Sequence, residues 1–393
     1  MVLEYPIMSN NLMSNNITPI EKLTLRRFPK TKDASLKAWN SADEYLIEWI
    51  SRLSILSSER VLIINDQFGA LTCALSSYQP YYWTDSFLSK TAIENNLKAN
   101  DLNSNVFHIN QCEQTIPDNL IFDLVIIRIP KHNSLLDFQL KSLSAHIDQD
   151  TKIIAAGMTK EIHKSNLNLF EKNIGPTKTS LAKKKSRLIF SIPSQSSKSF
   201  HDLIQTSSTQ YKINQHDLSI IGLPGVFSKD SLDIGTRVLL QYMPTTQPNQ
   251  KLIDLGCGTG VLGTFAAKQN PELTVTFTDE SWLAVESARQ TFKRNTNSSA
   301  EFLVTNVLDG LPNNFFDHIL CNPPFHQQNV QTLSIARTMF KESAKKLNTS
   351  GELRVVANRH LKYRSYLNQY FSKVEVISND PKFVVWLASG TKL

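Results

Sequence analysis

One phrase is written twice in this chain. Phe315–His326 reads FFDHILCNPPFH and Ile121–His132 reads IFDLVIIRIPKH; aligned without a gap, both carry Phe-Asp, an apolar run, a proline and a closing histidine. A short apolar run bounded by turn residues reads as a strand buried on both faces, the kind found in parallel sheets covered by helices. Each phrase sits in a longer alternation. RVLIIND, YYWTD, NVFHIN, FDLVIIRIP and TKIIAAG are separated by helix-like stretches and close on KKKSRLIFSIP. KLIDLG, TVTFTDES, AEFLVTN, FFDHILC, GELRVVANRH and KFVVWLASG repeat the pattern. Strand, turn and helix in alternation is the signature of an α/β fold. IIND-FGA lies over LIDLGCGTG, WTDS over FTDES, and TKIIAAGMTKEIHKSNLNLFEKNIG over GELRVVANRHLKYRSYLNQYF. Islands kept in one order predict two tandem Rossmann-like domains made by duplication, with a period far too long for a solenoid.

The 393 residues exceed one ordinary core, and 41% hydrophobic with 20% charged residues describes a globular chain. The expected division is a disordered leader over 1–21, a first domain over 22–195, a Ser-, Gln- and Lys-rich linker over 196–210 and a second domain over 211–393. SADEYLIEWISRL reads as a helix capped by Ser41, with Glu44 three residues on. A net charge of +7 favours an anionic partner without naming one. Cys73, Cys112, Cys257 and Cys321 form no zinc-spaced cluster, so free thiols and no metal are expected. The apolar runs fall far short of the roughly 18 residues that cross a bilayer. No signal-peptide layout opens the chain, so a cytoplasmic protein is expected.

The second half carries the chemistry. Asp254-Leu-Gly256-Cys-Gly258-Thr-Gly260 follows a strand and opens a helix, where glycines let backbone turn tightly and approach a ligand. Gly258 to Gly263 also fits the G-x-G-x-x-G of dinucleotide folds, a weak pattern alone. Asp254 separates the readings: it would repel a pyrophosphate and attract the cationic methionine end of S-adenosylmethionine. Asp279 ends the next strand, where an acid accepts from ribose hydroxyls or caps the following helix. Asn306, ending the third, can bond an adenine edge or simply turn the chain.

Asn322-Pro323-Pro324-Phe325 is the sharpest signal. Two prolines fix φ, remove two N–H donors and stop the strand from pairing onward. They leave acceptor oxygens beside an amide, which suits a planar exocyclic amine, and Phe325 offers a face for a stacked base. His326 reads as a loop or RNA contact rather than a base, and Cys257 and Cys321 as packing.

DLGCGTG, TDES and NPPFH together resemble class I S-adenosylmethionine-dependent methyltransferases that modify amino groups. FHQQ, GVFSKDSLDIGTRVLL and VANRHL narrow the resemblance to rRNA guanine-N2 methyltransferases with a degenerate N-terminal duplicate, the RsmC/RlmG group. LTLRRFPKTKD, SADEYL, NDQFGALTCAL and KFVVWLA look most like its large-subunit branch. The likeness covers nearly all of the chain beyond the leader. It implies N2-methylation of one guanine in 23S rRNA free of ribosomal proteins, by a monomer. It places Asp254, Gly256, Gly258 and Asp279 at the cofactor, where the loop and strand end add Gly260 and Asn306 as candidates, and Phe227 and Ser228 beside cofactor and base. It makes Asn322 to Phe325 the catalytic loop. A 16S rRNA guanine methyltransferase and a protein glutamine methyltransferase stay open. An NAD-dependent oxidoreductase explains only the glycines, and a non-catalytic RNA-binding protein leaves Asp254, Asp279 and Asn322 without work.

The first half reads as the copy that gave up catalysis. Asn65-Asp-Gln-Phe-Gly69 stands where the glycine loop should be, and Phe68 is expected to fill the adenosyl space. Arg128 and Lys131 replace acceptors by cations, which cannot take an amine's N–H but do suit phosphate. Arg26, Arg27 and Lys30, Arg128 and Lys131, and Lys183, Lys184, Lys185 and Arg187 are the expected RNA contacts.

Overall fold

The computed structural model describes residues 16–393 apart from 32, 34, 54, 56–57, 103–105, 110–115, 117–118, 195–205 and 325–329, with backbone alone for 330–332. It divides into two compact units after Thr206.

The first unit holds β1 (Val61–Ile64), β2 (Tyr81–Trp83), β3 (Phe107–Ile109), β4 (Leu124–Arg128), β5 (Lys152–Met158), β6 (Thr177–Thr179) and β7 (Ser186–Ser191). Their order in the sheet is β3-β2-β1-β4-β5-β7-β6. The first five run parallel and β7 is antiparallel to both its neighbours. Successive side chains of a strand point to opposite faces. Val61 and Ile63 therefore join one buried cluster, and Leu62 and Ile64 the other.

The second unit opens with a hairpin, β8 (Thr209–Ile213) and β9 (Leu218–Gly222). A sheet follows from β10 (Lys251–Leu255), β11 (Thr274–Asp279), β12 (Ala300–Val304), β13 (Phe316–Cys321), β14 (Leu347–Asn358), β15 (Phe371–Val376) and β16 (Phe383–Thr391). Its order, β12-β11-β10-β13-β14-β16-β15, traces the same path as the first sheet, including the antiparallel last pair. Two such sheets in one chain are what duplication of a single α/β domain produces. Ligands in open α/β sheets bind beyond the carboxyl ends of the strands where the order reverses, here β10 and β13.

Three expectations need correction. Residues 16–21 of the leader are packed, not disordered: Thr18 N–H donates to the Ala74 carbonyl at 2.9 Å, and Ile20 is buried in the first core. The helix Ser41–Ile50 is capped by Asn40, whose Oδ1 accepts from Ala42 N–H at 2.9 Å while its own N–H donates to Asp43 Oδ2 at 2.8 Å. The expected linker loses its last two residues, Thr209 and Gln210, to β8; residues 196–205 lie outside the described residues.

Candidate active site

Leu255 of β10 is paired with Cys321 of β13, so Gly256 and Asn322 leave adjacent parallel strands at the same level. The glycine loop is strapped to the end of β11. Gly256 and Cys257 N–H both donate to the Thr278 carbonyl, at 2.9 and 3.0 Å, and Gly258 N–H donates to Asp279 Oδ2 at 3.1 Å. The other Asp279 oxygen accepts from Ser281 N–H at 3.1 Å, tying it to the N-cap of the helix Trp282–Asn295.

The glycines divide by what a side chain would meet. At Gly256 (φ +69) the nearest atom to a built Cβ is Met339 Cε at 3.5 Å, and at Gly258 (φ +52) it is the Phe227 carbonyl oxygen at 3.7 Å. At these two a Cβ would make a single ordinary van der Waals contact and no clash. Gly260 (φ +76) differs: its Cβ would lie 2.7 Å from Ala288 Cβ. Its bare backbone lets the helix Val261–Gln269 start against the helix Trp282–Asn295.

Asp254 is buried, and its Oδ2 accepts from Gly263 N–H at 2.8 Å, in the first turn of the helix Val261–Gln269. Burial pushes its carboxyl up to about 7, against the pull of that N–H. Burial also raises Asp279. Cys257 and Cys321 are buried thiols pushed up by desolvation, which suits packing and not nucleophilic work.

Asn322 is held by residues that the motif does not contain. Its Nδ2 donates to Asp233 Oδ2 at 3.0 Å and to Thr236 Oγ1 at 2.9 Å. Asp233 is the N-cap of the helix Ile234–Leu240 and also accepts from Thr236 N–H at 3.0 Å. The amide oxygen of Asn322 is buried and has no partner among the described residues. Asp233 and Thr236 were not singled out above, although both lie within GVFSKDSLDIGTRVLL, as an Asp with Thr three residues on.

The remaining positions are less closely knit. Phe227 is 45% exposed, with its carbonyl over Gly258, and Ser228 has a left-handed backbone (φ +58). Asn306 spends one N–H on Asp309 Oδ2 at 2.9 Å. Pro323 is buried and Pro324 exposed. Phe325 and His326 lie outside the described residues. No cluster of metal-ligating residues and no helix long and apolar enough to cross a membrane occurs among the described residues.

The first unit carries the same loop in altered letters. Asn65 (φ +63) stands at the Gly256 position and Gly69 (φ +88) at that of Gly260; a Cβ on Gly69 would meet Ile93 Cα at 3.0 Å. Asp66 performs the bond of Asp254 from three residues further along the loop, its Oδ2 accepting from Thr72 N–H at 2.8 Å. Trp83 pairs with Ile64 as Thr278 pairs with Leu255, so Thr84 and not Asp85 stands in the place of Asp279. Phe68 is buried and, with Arg27, Trp39 and Arg128, lines a cavity of ≈ 30 Å³, room for little more than a water.

The expected RNA contacts separate accordingly. Arg128 is overturned: its side chain is 12% exposed, pairs with Asp43 at 3.1 Å and donates to Asn40 Oδ1 at 3.2 Å. Arg27 is half-buried over the Phe68 ring at 4.8 Å, and Arg187 is half-buried. Lys183 and Lys184 are exposed but paired with Glu48 and Glu44. Arg26, Lys30, Lys131 and Lys185 are exposed.

Two family models match: the RLMG N-terminal domain over residues 13–195 and the methyltransferase small domain over residues 217–387. A ribosomal RNA large subunit methyltransferase G from Psychromonas ingrahamii is 40% identical over 373 residues, covering 93% of this chain and 96% of the relative. One from Streptomyces avermitilis is 39% identical over 376 residues, covering 94% and 97%. The chain belongs to the ribosomal RNA large subunit methyltransferase G family. The family's two-domain fold is also that of the T. thermophilus 16S rRNA N2 methyltransferase RsmC, solved with AdoMet and guanosine. That protein matches with a TM-score of 0.71 at 18% identity, covering 94% of this chain and 98% of the other.

Proposed function

We propose that this chain transfers a methyl group from S-adenosylmethionine to the exocyclic N2 amine of one guanine in 23S rRNA, by direct in-line displacement. The observation that carries the reading is the Asn322 oxygen, buried and unpartnered one residue past the strand that neighbours the glycine loop. The names of the relatives specify the large ribosomal subunit, which favours 23S over 16S rRNA.

The cofactor supplies an electrophilic methyl on a sulfonium, and the residues present fit it. Gly256 and Gly258 border space that any side chain would narrow. Asp279 accepts from ribose hydroxyls, Asn306 meets an adenine edge, and the Asp254 charge favours a cation. Asn322 Oδ1 and the Pro323 carbonyl each accept one N–H of the guanine amine, which turns the nitrogen lone pair, otherwise delocalised into the ring, towards the methyl donor. Phe325 and Phe227 offer faces for the base. Holding two reactants in this way is worth about 7–11 kcal/mol. No strong base is needed, because the methylated nitrogen becomes acidic and sheds its proton to water.

The target guanine leaves its stack at a cost of a few kcal/mol. Unpaired RNA is therefore the proposed substrate; the family resemblance adds 23S rRNA free of ribosomal proteins, and a single chain is proposed as the active unit. The first domain has the role of an RNA-docking module, through the exposed Arg26, Lys30, Lys131 and Lys185, with Lys183 and Lys184 beside them. Mass spectrometry of rRNA from cells lacking the protein tests the function: one methyl should vanish from one 23S guanine, and an unchanged 23S pattern would refute it.

A further inference from the structure

The geometry points to Asp233, assisted by Thr236, as a positioning residue that locks the flip state of the Asn322 amide, so that its oxygen and never its nitrogen meets the target amine. The inference rests on the methyltransferase reading above. An amide side chain has two ends of nearly equal size, and a half-turn about its last torsion exchanges a double acceptor for a double donor. Only the acceptor end can hold the protons of an amine. The donor end would set N–H against N–H.

Three contacts decide the flip here. Asp233 Oδ2 lies 3.0 Å from Asn322 Nδ2 and Thr236 Oγ1 lies 2.9 Å from the same nitrogen. Asp233 is in turn fixed by Thr236 N–H at 3.0 Å, at the cap of the helix Ile234–Leu240. An ionised carboxylate can only accept. The flipped amide would therefore place oxygen against oxygen at about that spacing and bury two N–H donors where Oδ1 now lies unpartnered. The carboxylate also draws positive character onto the amide nitrogen and leaves its oxygen a stronger acceptor. The consequence is a port that offers acceptors alone, which takes the N2 amine of guanine and rejects the O6 carbonyl at the other end of the same edge.

The first domain shows that this anchor is a separate part. Asn40 and Asp43 are the cap and third residue of their helix, as Asp233 and Thr236 are of theirs. They grip Arg128, the residue at the Asn322 position, at 3.2 and 3.1 Å. The anchor is kept in both copies while the group it holds has changed.

Asp233→Asn is the discriminating variant, because Asn caps a helix as well as Asp but can offer its own NH2 and so admit the flipped Asn322. Methyl transfer to a 23S transcript should fall about 10–100-fold in kcat, the order lost when the outer partner orienting an active-site ligand is removed. KM for S-adenosylmethionine and the thermal midpoint should stay at wild-type values. Thr236→Val, which removes one of the two acceptors, should fall by less. Wild-type kcat in Asp233→Asn beside a lowered melting point in Asp233→Ala would make Asp233 a helix cap and nothing more. Loss of cofactor affinity in proportion to turnover would also overturn the proposal. Wild-type turnover on the transcript tests the functional reading by itself, so the two failures are distinguishable.

Discussion

In the first domain the Arg128 guanidinium is paired with the Asp43 carboxylate at 3.1 Å, both side chains nearly buried, at the position where the second domain presents the Asn322 amide. Both residues line the cavity of ≈ 30 Å³ beside Phe68. Removing one partner of a buried pair leaves the other charge uncompensated, typically at a cost of about 3–5 kcal/mol. Arg128→Ala should therefore lower the urea midpoint markedly and leave the salt dependence of RNA affinity where it was. A changed salt slope at unchanged stability would return Arg128 to the RNA surface.

The exposed cations of the same domain should behave in the opposite way. Each lost phosphate contact reduces the slope of log affinity against log salt by about 0.7–0.9. Combined Arg26→Ala, Lys131→Ala and Lys185→Ala should flatten that slope by about 2 without moving the melting point. A slope equal to wild type would leave the domain as a scaffold.

Gly258 and Gly260, four and six residues past Asp254, should fail for different reasons. Gly260→Ala combines a left-handed backbone with a 2.7 Å clash on Ala288, so about 2–4 kcal/mol of stability should be lost. Gly258→Ala meets nothing closer than 3.7 Å. It should cost only about 1–2 kcal/mol of stability and act chiefly on cofactor affinity. Calorimetric titration beside thermal melts separates the two, and equal effects on both quantities would contradict the division.

The Asp254 carboxyl titrates near 7, raised first by burial. Its neutral form prevails below that pH, and a cationic ligand favours the ionised form. Affinity for S-adenosylmethionine should therefore climb between pH 6 and pH 8, by at most about tenfold per unit on the acid side. Asp254→Asn should flatten the climb. By the same linkage the folded protein without cofactor has this group's stability in full below the unfolded carboxyl value of about 4 and loses it as pH rises through about 7. Affinity falling with pH would refute the role given to Asp254.

Much of the fold was legible because buried parallel strands are written as unbroken apolar runs, VLII in β1 and LVII in β4, each followed by a turn. The hairpin was not, because TQYKI is short and mostly polar and continues a Ser- and Gln-rich stretch. Asn40 and Ser41 are both good caps, so composition alone misplaced the helix start by one residue. Thr84 could be placed opposite Asp279 only by strand register, since WTDS and FTDES align equally well on their acids. The Asn322 motif stands out in its own strand, but Asp233 and Thr236 lie 89 and 86 residues away in the chain, and only folding brings them to it.

The central claim is that the Asn322 oxygen grips the target amine, and methyl transfer by Asn322→Ala tests it most directly. Labelled S-adenosylmethionine, a 23S transcript and nucleoside mass spectrometry should give N2-methylguanosine with the wild type. The variant should bind cofactor normally and transfer roughly 100–1,000-fold more slowly, the cost of losing one preorganised polar contact to the reacting group. Undiminished transfer by the variant would contradict the account.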